Sequence, residues 1–70
     1  MNIFLRDAQP GDIVARMGRV HRIRHVTLPC GGQIQMDSEH LDENDQWVLN
    51  PYRTTWPEDQ RMLLLGRGIS

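Results

Sequence analysis

Pro10-Gly11-Asp12-Ile13-Val14-Ala15-Arg16-Met17-Gly18, running straight into Arg19-Val20-His21-Arg22-Ile23-Arg24-His25-Val26-Thr27-Leu28, is the stretch on which the fold turns. Pro10-Gly11 is a strong turn signal: proline presets φ at about −65° and glycine supplies freedom beside it. Residues 12–17 form a short apolar run that stops at Gly18, and that corner reads as a tight hairpin connection. Residues 19–28 are ambiguous. Val20, Ile23 and Val26 recur every third position, which fits a short helix or a strand whose bulge shifts the facing register. Their β-branched side chains favour the strand.

Working outward, Gln33-Ile34-Gln35-Met36 alternates cleanly, with Ile34 and Met36 on one face. Ile3-Phe4-Leu5 and Trp47-Val48-Leu49 are further short apolar runs. Pro57-Glu58-Asp59-Gln60 reads as a single helical turn, with proline where no N–H is missed, before a final strand over 61–65. Glycine and proline interrupt the chain too often for a long helix. Short apolar runs between turns read as the strands of a barrel or sandwich.

The stretches Pro10-Gly11-Asp12-Ile13-Val14, Gly18-Arg19-Val20-His21-Arg22-Ile23 and Gly32-Gln33-Ile34-Gln35-Met36 resemble small SH3-like β-barrel proteins of bacterial and phage accessory genes. Trp56-Pro57-Glu58-Asp59 before Met62-Leu63-Leu64-Leu65 looks like the short 3₁₀ turn before the last strand of that barrel. The resemblance covers most of residues 8–65. Residues 37–56 depart from it, being longer and more acidic than a simple barrel loop. It implies a mostly β fold: a small SH3-like five-stranded barrel over residues 1–66, with 67–70 as a frayed tail. It implies no function, because small folds host many.

Composition narrows the class. Seventy residues allow one domain, with little surface to bury. Self-association is one way such chains gain buried area, so a homo-oligomer is an open alternative. A single cysteine, Cys30, excludes an intramolecular disulfide and favours a reducing cytoplasm. The first residues do not read as a signal peptide, and the longest apolar run, residues 62–65, is far short of a membrane span. The net charge of −1 hides a polarity. Residues 1–36 hold five Arg against two Asp, and residues 37–70 hold three Arg against seven Asp or Glu. Every fixed cation is an arginine, a planar fork suited to carboxylate or phosphate.

Four constellations carry chemical content. His21-Arg22-Ile23-Arg24-His25 lacks the Glu of an H-E-x-x-H protease, and neither Cys30 nor His40 has zinc-like spacing, so no metal or cofactor is expected. Arg16, Arg19, Arg22 and Arg24 on two adjacent strands could instead form a basic stripe for a phosphate backbone or for an anionic protein partner, or a solvated face paired with the chain's own acids. Against nucleic acid, that stretch lacks an aromatic stacking platform. Residues 37–45 hold five carboxylates, but no register supplies the Gly and Glu of a calcium loop. Asp42, Glu43 and Asp45 are then either a solvated loop or part of a surface for a protein partner. Tyr52, Arg53 and Trp56 are residue types common in binding hot spots, otherwise core plus a lid. No nucleophile, base and orienting group can be assembled, so the chain reads as no enzyme. The leading expectation is a non-enzymatic protein-interaction module that uses Tyr52, Arg53, Trp56, Asp42, Glu43 and Asp45. Its setting, given the resemblance, would be a phage or mobile-element modulator of a host protein. The alternative is a small nucleic-acid-binding barrel using Arg16, Arg19, Arg22 and Arg24.

Overall fold

A computed structural model describes residues 1–67. Three tight turns set its first half. In Gln9-Pro10-Gly11-Asp12, the Asp12 N–H donates to the Gln9 carbonyl at 3.0 Å and Gly11 takes φ of 94°, the combination of a type II turn. At Met17-Gly18 both residues have positive φ, 52° and 78°, so the strands are joined by a two-residue turn of the I′ kind, whose twist matches theirs. Gly31-Gly32 repeats the solution, with φ of 62° and 79° between Cys30 and Gln33, which exchange both backbone hydrogen bonds.

Between and beyond these turns lie seven strands: β1 (Asn2–Phe4), β2 (Ile13–Arg16), β3 (Arg19–Val26), β4 (Gln33–Leu41), β5 (Trp47–Leu49), β6 (Thr54–Pro57) and β7 (Arg61–Gly66). All pairings are antiparallel, and the sheet runs β1-β7-β2-β3-β4-β5. β4 is long enough to hold two partners along one edge. Its first half, 33–36, pairs with β6, and its last part, 39–41, pairs with β5.

The mostly β class is therefore correct, while the closed five-stranded barrel is not what forms. Among the described residues β1 ends one side of the sheet and β5 and β6 the other, and no pairing joins them. Two short strands, β1 and β5, use apolar runs that a five-stranded plan has no place for. The 3₁₀ turn also sits elsewhere. It follows β1 at Leu5–Asp7, whereas residues 57–60 make one hydrogen-bonded turn, the Gln60 N–H donating to the Pro57 carbonyl at 3.0 Å. Residues 68–70 of the expected tail lie outside the described residues. Arg67 at its head donates to the buried Asp12 carboxylate at 3.1 Å.

The ambiguous stretch is one strand with a bulge. Ile23 pairs with Ser38 and His25 with Asp37, so the register shifts across Arg24. The extra residue lets Ile23 and Val26, three apart, face the same side. That inner side carries the core: Leu5, Ala8, Val14, Ile23, Ile34, Met36 and Met62 are buried, with Ile3, Val26, Trp56 and Leu64 packed against them. Each large side chain among them contributes on the order of 1.5–3 kcal/mol. Leu5 arrives from the 3₁₀ turn, its N–H donating to the Gln60 carbonyl at 2.8 Å, so the turn plugs the core from the side of β7.

Two outcomes are expected in denaturant unfolding. Gly11→Val should cost about 1–3 kcal/mol by forcing a β-branched residue to positive φ, while Met17→Asn should stabilise by about 0.5–1 kcal/mol by fitting the I′ turn. Leu64→Asp, on the inner side of a strand flanked by β1 and β2, should abolish the cooperative transition, because it buries an unpaired charge; Leu63→Asp next door, facing outward, should keep it.

Candidate interaction surface and cleft

Period-two alternation assigns the opposite, outer face of the sheet. Leu63, Ala15 and Val20 follow one another across β7, β2 and β3 in one cross-strand row. Ile13, Arg22, Glu39 and Leu49 form the next row, and Leu41 pairs with Trp47. Leu63, Leu65, Leu41 and Leu49 are all exposed, Leu49 and Leu65 at 53% each. Among the described residues no segment covers this side.

Two ion pairs interrupt the apolar face. Arg22 grips Glu39 through both arms of its fork, Nε to Oε1 at 3.0 Å and Nη2 to Oε2 at 2.9 Å, and its guanidinium lies 4.7 Å from the Trp47 ring centre. This hydrogen-bonded pairing holds the Glu39 carboxyl below its ordinary range and raises the Arg22 guanidinium above its own. Arg53 pairs with Asp37 at 3.1 Å. Arg61, on the Leu63 side of β7 and stacked on Phe4, and Arg24, close enough to lower the Glu39 pKa, have no ion pair among the described residues, so the face keeps cations of its own.

The four arginines of the expected basic stripe do not share a surface. Arg16 and Arg19 face each other across the Met17-Gly18 turn, on the inner side with Val14 and His21. Arg22 is on the outer side, neutralised by Glu39, and Arg24 is the exposed bulge residue. The aromatic cluster also separates. Trp56 sits opposite Ile34 and packs on the core, with its indole N–H donating to Thr54 Oγ1 at 2.7 Å and Arg16 stacked 5.2 Å away. Tyr52 is 81% exposed, and Arg53 turns to the outer-face Asp37. Of the acidic trio, Asp42 is a turn residue. Its Oδ1 accepts the Asn44 and Gln46 N–H groups at 2.8 and 2.9 Å, fixing the β4–β5 connection. Glu43 and Asp45 are exposed there. Asp37 and Glu39, read as loop residues from their charge, belong to β4.

At the hairpin end of the inner side lies a cleft of about 450 Å³, lined along β3 by residues 19–21, along β4 by His40 and Leu41, and by Asn50; the inward side chains of the two strands there are Arg19, His21 and His40. His21 and His40 are direct cross-strand neighbours. Asn50 joins the second of them to the core: its Nδ2 donates to Ser38 Oγ at 2.9 Å, so its Oδ1 faces His40 Nδ1 at 2.6 Å and accepts that N–H. His21 Nδ1 is buried without a hydrogen-bond partner. Such an orphan typically costs about 1–3 kcal/mol. Burial, then His40, then Arg19 depress the His21 pKa. Among the described residues no three metal-ligating side chains come together.

Sequence reasoning missed both places. The leucines of 63–65 carried a usable signal, since three in a row on one strand must put at least one on each face. The His21–Asn50 proximity carried none, because only the β3–β4–β5 register creates it. Asp42→Ala should cost about 1–2 kcal/mol in denaturant unfolding through two lost turn hydrogen bonds. No helix in the described chain is long and apolar enough to cross a membrane. Comparison of the chain with protein-family models, with curated proteins and with solved structures finds no match.

Proposed function

We propose that this protein is a non-enzymatic interaction module that docks on another polypeptide through the outer face of its sheet. The carrying observation is that Leu41, Leu49, Leu63 and Leu65 stand exposed on one side of the chain's own small domain. Contiguous apolar patches rimmed by polar residues mark interaction sites. The pairing of Arg22 with Glu39 and of Arg53 with Asp37 neutralises the charges amid the leucines, with Arg61 and Arg24 as the cations left over around them. The fitting partner presents an apolar surface, and Trp47 with its stacked Arg22 supplies the residue types that dominate interface energetics.

Kinship with small SH3-like barrels is part of the proposal. Strands β2, β3, β4 and β6 form an antiparallel meander, and β7 returns to pair with β2, the first of them. That connectivity supports the kinship, with β1 and β5 as additions and the sheet left open. A role as modulator of a host protein in a bacterial or phage setting belongs to the same proposal. The nucleic-acid alternative draws no support from an arginine set divided between two faces and a bulge.

The test uses the wild-type chain, a Leu49→Asp/Leu63→Asp double variant and Tyr52→Ala as parallel baits, with sedimentation of each alone. The expected result is a polypeptide held by wild type and Tyr52→Ala, lost by the double variant, and retained from about 50 to 200 mM salt, where phosphate-driven binding would collapse. Partners held equally by the double variant would overturn the reading, as would nucleic acid binding that disappears over that salt range. A dimer of the wild type dispersed by the double variant would replace the foreign partner with a second copy.

A further inference from the structure

The inner cleft gathers Arg19, His21 and His40 with no carboxylate among its walls. The chain as a whole carries more acids than bases, so the segregation is notable. Its acids near the sheet are engaged elsewhere: Asp12 with Arg67, Asp37 with Arg53, Glu39 with Arg22, and Asp42 in its turn. Arg19 has no ion pair among the described residues, and Arg16 faces it across the hairpin, adding to the positive field. His40 is pre-oriented by Asn50, which leaves its other ring nitrogen free of that bond. A volume near 450 Å³ lies in the range of small-molecule sites.

We propose that this cleft binds the oxyanion of a small organic acid or phosphate ester, with Arg19 as the fixed cation and His21 and His40 as imidazole donors. Binding is coupled to proton uptake. Without ligand, an imidazolium at His21 would meet Arg19 on its own strand and His40 on β4, while β2 offers Val14 and β5 offers Val48 opposite His40. No charge compensates it, so the neutral ring is favoured. An anion in the cleft supplies the missing charge. It favours the charged His21 ring, so affinity increases as pH falls through the histidine range.

The experiment follows imidazole and backbone NMR signals of the full chain during titration with benzoate, inorganic phosphate and phenyl phosphate. Expected are shifts at His21 and His40 with His25 silent, tighter binding of benzoate by about tenfold from about pH 8 to 5.5, and loss of about tenfold or more in affinity in Arg19→Ala. Arg24→Ala removes an equal charge outside the cleft and should bind like wild type. Stronger binding of phenyl phosphate than of benzoate assigns a phosphate ester, and the reverse assigns an organic acid. Equal weakening in both arginine variants, shifts that include His25, or binding insensitive to pH would overturn the site. So would a single-stranded oligonucleotide that binds far more tightly than any of the three probes.

Discussion

The single extra residue at Arg24 governs the architecture. An antiparallel strand without a bulge places residues three apart on opposite sides. With Ile23 already buried, Val26 would then point outward and the core would lose its link to Met36. The bulge restores the parity, and bulges also bend and twist the strand that carries them. A small domain gains from that curvature, because one sheet must supply both walls of its own core. A flat sheet of the same strands would leave Ile34 and Met36 with no apolar surface opposite Val14, Met62 and Leu5.

The same parity fixes what is left outside. Up to Ile23 the even-numbered residues of β3 face outward, so Val20 and Arg22 join Ile13, Ala15 and Leu63 on the uncovered side. The odd-numbered residues face inward, which carries His21 into line with Val14 and His40. Polar rings therefore occupy core-side positions at the end of the sheet where the apolar filling runs out. A buried nitrogen without a partner works against stability, and two apolar residues at 21 and 40 would pack there without that cost. Departures of this kind from local consistency are where function tends to reside.

Much of the fold was legible. The Pro10-Gly11 turn, the Gly18 corner, the alternation of 33–36 and the closing strand all follow from local rules, and the threefold spacing of Val20, Ile23 and Val26 already held the bulge as one of its two explanations. The sheet's extent was not legible. Whether Asn2–Phe4 and Trp47–Leu49 pair as strands depends on edges offered by β7 and β4, which local sequence does not encode. The candidate sites were harder still. Grouping the arginines of 16–24 by sequence proximity ignored that side chains on adjacent positions diverge and that a hairpin turn decides which of them meet. Acidic residues at 37 and 39 read as loop from charge alone, although each has an arginine partner from a distant segment waiting across the sheet.

Those two ion pairs connect stability to specificity. Arg22 lies between the apolar rows of the outer face, and its fork is matched to Glu39 on the neighbouring strand. Partly exposed pairs of this kind add little to stability. Their consequence is for recognition: two cations and two anions amid the exposed leucines cancel, so an apolar surface can meet those leucines without stranding a charge. One register position away, on the opposite side of the same two strands, Arg19 has no ion pair among the described residues and lies beside two imidazoles. One short β-ladder thus carries a closed ion pair on one side and a cationic cleft on the other, and the register of β3 against β4 sets both.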